Sequence, residues 1–111
     1  MKTYTNTEKR EIINKVINKF MKVWEDEYER HEIYEEYKIC GDKKINIEVY
    51  DSGDYTDRNY YMNIHVYDKK NSYTEKFVVG RWWFNEYDGG SNWKCDNTIK
   101  SFIKNMIKKI L

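Results

Sequence analysis

Apolar residues recur at three- and four-residue steps near the start of the chain. Ile13, Val16, Ile17, Phe20, Trp24, Tyr28 and His31 share one side of a 3.6-residue repeat, which predicts a long amphipathic helix. Thr5 with Glu8 three positions on forms a capping box that starts it. No glycine or proline intervenes before Gly41, so the helix is expected to run into the acidic stretch. Fraying is expected there, because Glu25/Glu29 and Glu32/Glu36 set like charges one turn apart.

The period then changes to two. Residues 44–50 alternate Ile45, Ile47 and Val49 against Asn46, Glu48 and Tyr50. Residues 60–67 alternate Met62, Ile64 and Val66 against Tyr61, Asn63, His65 and Tyr67. Such alternation marks strands with one face on a core. Residues 73–84 make a third strand with a more uniformly apolar centre, where Gly80 signals a bulge or bend. Two polar loops join the strands as hairpins, and residues 88–92 read as a plain turn. A second helix follows, with Asp96 as N-cap. It has an apolar stripe of Ile99, Phe102, Ile103, Met106, Ile107 and Ile110, and Lys100, Lys104 and Lys108 on its other side.

The pattern therefore predicts one α+β domain spanning residues 1–111, in the order α-β-β-β-α. Its sheet is a three-stranded antiparallel meander with both helices packed on one face. The other face is left open, carrying Asn46, Glu48, Tyr50, Tyr61, Asn63, His65, Tyr67 and, on the third strand, Lys76. The parity of that third strand is ambiguous around Val78 and Val79, where both faces are apolar.

Composition changes this picture in two ways. The chain holds 11 tyrosines, no proline, no alanine, no glutamine and a single leucine, Leu111. Isoleucine, asparagine, lysine and tyrosine are the residues an AT-rich genome writes most easily, so part of the tyrosine excess reflects codon usage. The same bias is associated with a microbial or mobile-element source. Net charge is +1, but it is unevenly spread. Residues 1–24 and 94–111 each carry about +4 and residues 25–36 about −6. Separated patches of opposite sign can orient a partner, although a solvated helix face is the commoner meaning.

Candidate chemistry is sparse. Cys40 and Cys95 lie far apart, without zinc spacing, and are expected to be reduced thiols. No apolar run resembles a signal peptide or membrane span, so a cytoplasmic protein with no membrane partner is expected. His31 with Glu35 lacks the second histidine and third ligand of a zinc helix. Asp51, Asp54 and Asp57 have the wrong spacing for a calcium loop and suit turn chemistry. His65 has Glu48 as a possible neighbour but no nucleophile to serve. Gly89-Gly90 lacks the context of a phosphate cradle. No catalytic residue, metal or cofactor is therefore assigned, and a non-enzymatic protein is expected.

The aromatic residues suggest binding instead. Adjacent Trp82 and Trp83 must point to opposite faces of a strand, and the outer one with Arg81 has interface hot-spot chemistry. The contact residues expected are Tyr50, Tyr61, His65, Tyr67, Arg81 and Trp82. The expected function is a small protein-binding inhibitor or antagonist from a microbial mobile element. The analogy is to the class of anti-CRISPR and toxin-immunity proteins in size and composition. The alternative is an RNA, single-stranded nucleic-acid or nucleotide binder that stacks bases on the same tyrosines. Closure of a homodimer through this face is a third reading. The α-β-β-β-α order resembles that of double-stranded RNA-binding domains in topology alone. The segment Asp96-Asn97-Thr98-Ile99-Lys100 lacks the lysine cluster that would grip phosphates at the start of the second helix.

Overall fold

The computed structural model describes residues 3–26, 30 and 32–111. In chain order it has α1 (Asn6–Trp24), β1 (Glu32–Cys40), β2 (Lys43–Gly53), β3 (Asp57–Tyr67), β4 (Ser72–Phe84), β5 (Gly89–Trp93) and α2 (Asp96–Lys108). The strands form one antiparallel meander in the order β1-β2-β3-β4-β5. The α+β class and the antiparallel sheet stand, but the sheet has five strands rather than three.

Both extra strands lie where local sequence argues for something else. The helical spacing from Ile13 to Trp24 is real and buries Ile13, Val16, Ile17, Phe20, Met21 and Trp24. It does not continue into residues 32–40, where Ile33, Tyr37 and Ile39 turn to the core side of a strand. That segment is rich in isoleucine and tyrosine, which suit a pleated surface. A helix would instead have set Glu32 against Glu36 one turn apart. Tyr28 and His31, the last two positions of the expected helix, lie outside the described residues. β5 is nearly unreadable in sequence because Gly-Gly-Ser-Asn has no strand propensity. It forms by pairing along β4, with Trp93 opposite Gly80. At the second helix, Cys95 rather than Asp96 occupies the N-cap, and its Sγ lies 3.1 Å from Thr98 Oγ1.

The core lies between the sheet and the two helices. Ile33, Ile45, Ile47, Val49, Met62, Ile64, Val66 and Val79 meet the apolar stripes of α1 and α2. Phe77 stacks on Phe102 at 4.1 Å between centroids, fixing β4 to α2. Trp24 meets Trp93 edge to face at 5.7 Å, and the Arg30 guanidinium lies over both rings, 4.4 and 5.0 Å from their centroids. The Nε of Arg30 also donates to the Trp24 carbonyl at 2.8 Å, which caps the end of α1.

The molecule is long and thin, 59 × 24 × 17 Å. A 19-residue helix spans only about 28 Å, so the sheet overhangs the helix layer. The overhang is the end where the β2–β3 and β4–β5 turns meet, tied by the Phe84 N–H donating to the Thr56 carbonyl at 2.7 Å.

Candidate functional site

Both helices pack on one face of the sheet, and no described element covers the other. Strand register orders the bare face into rows. Glu32, Tyr50, Tyr61 and Val78 form one row, and Tyr34, Glu48, Asn63 and Lys76 the next. Glu36, Asn46, His65 and Thr74 follow, and then Lys38, Lys44, Tyr67 and Ser72. Tyr50, Tyr61, His65 and Tyr67 thus share one surface, as alternation predicted, and so does Lys76.

These side chains support one another. Tyr50 and Tyr61 stack across β2 and β3 with centroids 5.6 Å apart. The Lys76 ammonium sits over both rings, 4.4 Å from Tyr61 and 5.5 Å from Tyr50, and its hydrogen bond with Tyr50 raises its pKa. His65 stacks on Tyr67 at 4.9 Å and exchanges a hydrogen bond with the Thr74 hydroxyl. Its cross-strand neighbour on β2 is Asn46, whereas Glu48 stands opposite Asn63. The rings therefore lie as a half-exposed, preformed platform. Tyr34 adds to it at 58 % exposure, with its hydroxyl donating to Glu36 Oε1 at 2.7 Å.

Trp82 does not join this platform. Continuous alternation from Lys76 and Val78 would place it there. The ladder instead slips by one residue: Tyr61 pairs with Val78 and Tyr60 with Gly80, so Val79 is the extra residue of a bulge. Val79 turns fully into the core while Val78 remains 47 % exposed. The slip reverses parity beyond it. Arg81 and Trp83 share the bare face, and Trp82 lies on the helix side opposite Arg58, outside the core cluster. The Arg81 guanidinium lies over Trp83 at 5.3 Å and makes a two-point ion pair with Asp57 at 3.0 and 2.6 Å. That bond holds the Asp57 carboxyl below the usual range.

The overhanging end adds aromatics that sequence reasoning missed. Tyr55 and Tyr87 occupy the two adjacent turns, and Phe84 ends β4, with exposures of 79, 91 and 59 %. Periodicity carries no signal in turns. Only the meeting of the two turns gathers these rings beside Trp82 and Trp83.

The three loop aspartates do not converge. Asp51 pairs with Arg58 at 3.1 Å and Asp57 with Arg81. Asp54 accepts the backbone N–H groups of Thr56 and Asp57, while its hydrogen bond from the Thr56 hydroxyl contributes most to lowering its pKa. Glu35 lies on the core side of β1, opposite Ile47, and His31 lies outside the described residues. Among the described residues no three His, Cys, Asp or Glu side chains are grouped as metal ligands would be. Cys40 and Cys95 are both free thiols. No described helix is long and apolar enough to cross a membrane. The chain matches no known family model, no curated protein and no solved structure.

Proposed function

We propose that the protein is a small, non-enzymatic protein-binding domain that acts through the bare face of its sheet. One observation carries this reading. A five-stranded sheet places both helices on one side and presents, on the other, a stacked Tyr50–Tyr61 pair under Lys76 with His65 on Tyr67. Flat aromatic area held in place by neighbours loses little conformational freedom on binding, and tyrosine, tryptophan and arginine dominate interface energetics. Contacts would centre on Tyr50, Tyr61, His65, Tyr67 and Arg81, with Trp83 in the position expected for Trp82. An antagonist of anti-CRISPR or immunity type, working in the cytoplasm by occupying a partner's surface, fits this chemistry. The mixed signs along the rows, with Glu32, Glu36 and Glu48 among the rings, favour a protein partner over a single-stranded phosphate backbone.

Capture from a host extract by wild-type protein and by the double variant Tyr61→Ala/Tyr67→Ala, read by mass spectrometry, tests the reading. Wild type should retain one or a few proteins that the variant loses, with affinity reduced roughly thirtyfold or more if the rings are hot spots. Equal capture by both proteins, with circular dichroism unchanged, would place the contact elsewhere. A dimer in sedimentation equilibrium that the same variant dissociates would assign the face to a second copy instead.

A further inference from the structure

The two basic segments of the chain, distant in sequence, are adjacent in the fold. α1 and α2 run antiparallel, and a groove follows their junction along the surface opposite the sheet. At one end it is lined by Lys9, Arg10, Lys104 and Lys108, with a cavity of about 610 Å³. It continues past Asn14 and Asn18 to Lys100 and Ser101. Ile13, Ile17 and Leu111 are its apolar lining, and no aspartate or glutamate side chain lines it.

Three features bear on what such a groove holds. First, Lys9, Arg10, Lys100, Lys104 and Lys108 form no ion pair with any described residue, whereas Lys43, Arg58, Arg81 and Lys109 do. Second, Lys100, Lys104 and Lys108 recur every fourth residue, an inclined row of charges that rises about 6 Å along α2 at each step. Lys9 and Arg10 face that row across the groove. Third, the remaining polar positions are asparagine and serine, which donate hydrogen bonds to phosphate oxygens. The acidic side chains nearest in sequence do not line it: Glu8 belongs to the α1 cap, Asp96 opens α2, and Glu11 is absent from the lining.

We infer that this groove is a contact for the phosphate backbone of duplex DNA, independent of base sequence. A protein partner fits less well, because protein interfaces are depleted in lysine and built around aromatic or methionine anchors, and the groove presents neither. A single strand fits less well, because single-strand sites hold bases by stacking on aromatic rings, and none lines the groove. In a duplex the bases are paired inward and phosphates are what the surface meets. The groove, about 18 Å along α1, is also short beside the roughly 16 base pairs that shape-reading of duplex RNA spans. The site is separate from the tyrosine face, so the two surfaces are available at once.

The test is fluorescence anisotropy with a labelled DNA duplex of about 20 base pairs, titrated between about 50 and 200 mM salt. Binding in the micromolar range at low salt is expected, with log affinity falling against log salt at a slope of about −2.7 to −4.5 for three to five neutralised phosphates. The variant Lys100→Gln/Lys104→Gln/Lys108→Gln should reduce the slope by about 2 to 3 and the low-salt affinity at least tenfold. Its helix content should be unchanged, since all three side chains are exposed. Tyr61→Ala/Tyr67→Ala should bind the duplex as wild type does. The inference is overturned if the duplex fails to bind at about 50 mM salt, or if the lysine variant binds with the wild-type slope. Tighter binding of single-stranded DNA or duplex RNA overturns it in favour of those ligands. Equally tight binding of labelled polyglutamate overturns it in favour of an acidic protein.

Discussion

Tyr37 shows how a single residue on β1 reports its surroundings. Its ring packs against the core while Glu35, two positions away on the same side of the strand, adds negative charge. Burial first, and Glu35 second, push the phenol from the ordinary 10.0 up to about 12. The native state therefore holds this proton more tightly than the unfolded chain does. Its contribution to stability is complete below pH 10 and is lost as pH rises towards 12. Urea midpoints for wild type should fall across that interval, and Tyr37→Phe should fall less because it has no proton to lose. Identical alkaline slopes would show that the phenol is as exposed when folded as when unfolded. Gly80 is a second such residue. A Cβ there would stand 2.5 Å from Trp93 Cε3, in contact with a ring already wedged against Tyr60 and Trp24. Gly80→Ala should destabilise the fold by about 1–3 kcal/mol, as overpacking of a filled site does, measured by urea unfolding.

At the scale of elements, the strands fall into two groups. β2 and β3 announce themselves by alternation, because one face is buried along their centres and the other meets water, whereas β4 is marked by its β-branched and aromatic run from Phe77 to Phe84. β1 and β5 are edge strands, each with one neighbour. The acidic opening of β1 and the glycines of β5 have poor propensity, and pairing overrides it. Their edges are kept from other chains by familiar devices: charged Glu35, Glu36 and Lys38 on β1, and brevity on β5. The bulge at Val79 has the widest consequence. By adding one residue to β4 it places Val79 in the core and exchanges the faces of Trp82 and Trp83. The two tryptophans could be separated by sequence, but only the ladder shows which is which.

At the scale of the molecule, the sheet is longer than the helices that cover it. Residues 51–58 and 81–92 lie in the overhang, supported by strand pairing, the Arg58–Asp51 and Arg81–Asp57 ion pairs and the Thr56–Phe84 backbone bond. None of the described residues in these two segments belongs to the core cluster. Exposed ion pairs contribute little to stability. Hydrogen exchange should therefore be faster in this end than in residues 45–49 and 62–66, by several orders of magnitude if it opens without global unfolding. Uniform protection along β3 and β4 would mean that the sheet opens only as a whole.

Sequence alone determined the chemistry of each position and its local period. The helix from Thr5 with its capping box, the faces of β2 and β3, the apolar stripe of α2, and the grouping of Tyr50, Tyr61, His65 and Tyr67 were legible, because each depends on neighbours a few residues away. The tertiary structure decided what depends on distant pairing. It recruited residues 32–40 and 89–93 as strands, because an added strand satisfies its backbone groups through a partner that no local pattern names. It placed the bulge at Val79, and so chose Trp83 over Trp82 for the bare face. It also brought the basic positions of both helices together along one groove, because two amphipathic helices that cover the same face of a sheet must lie side by side.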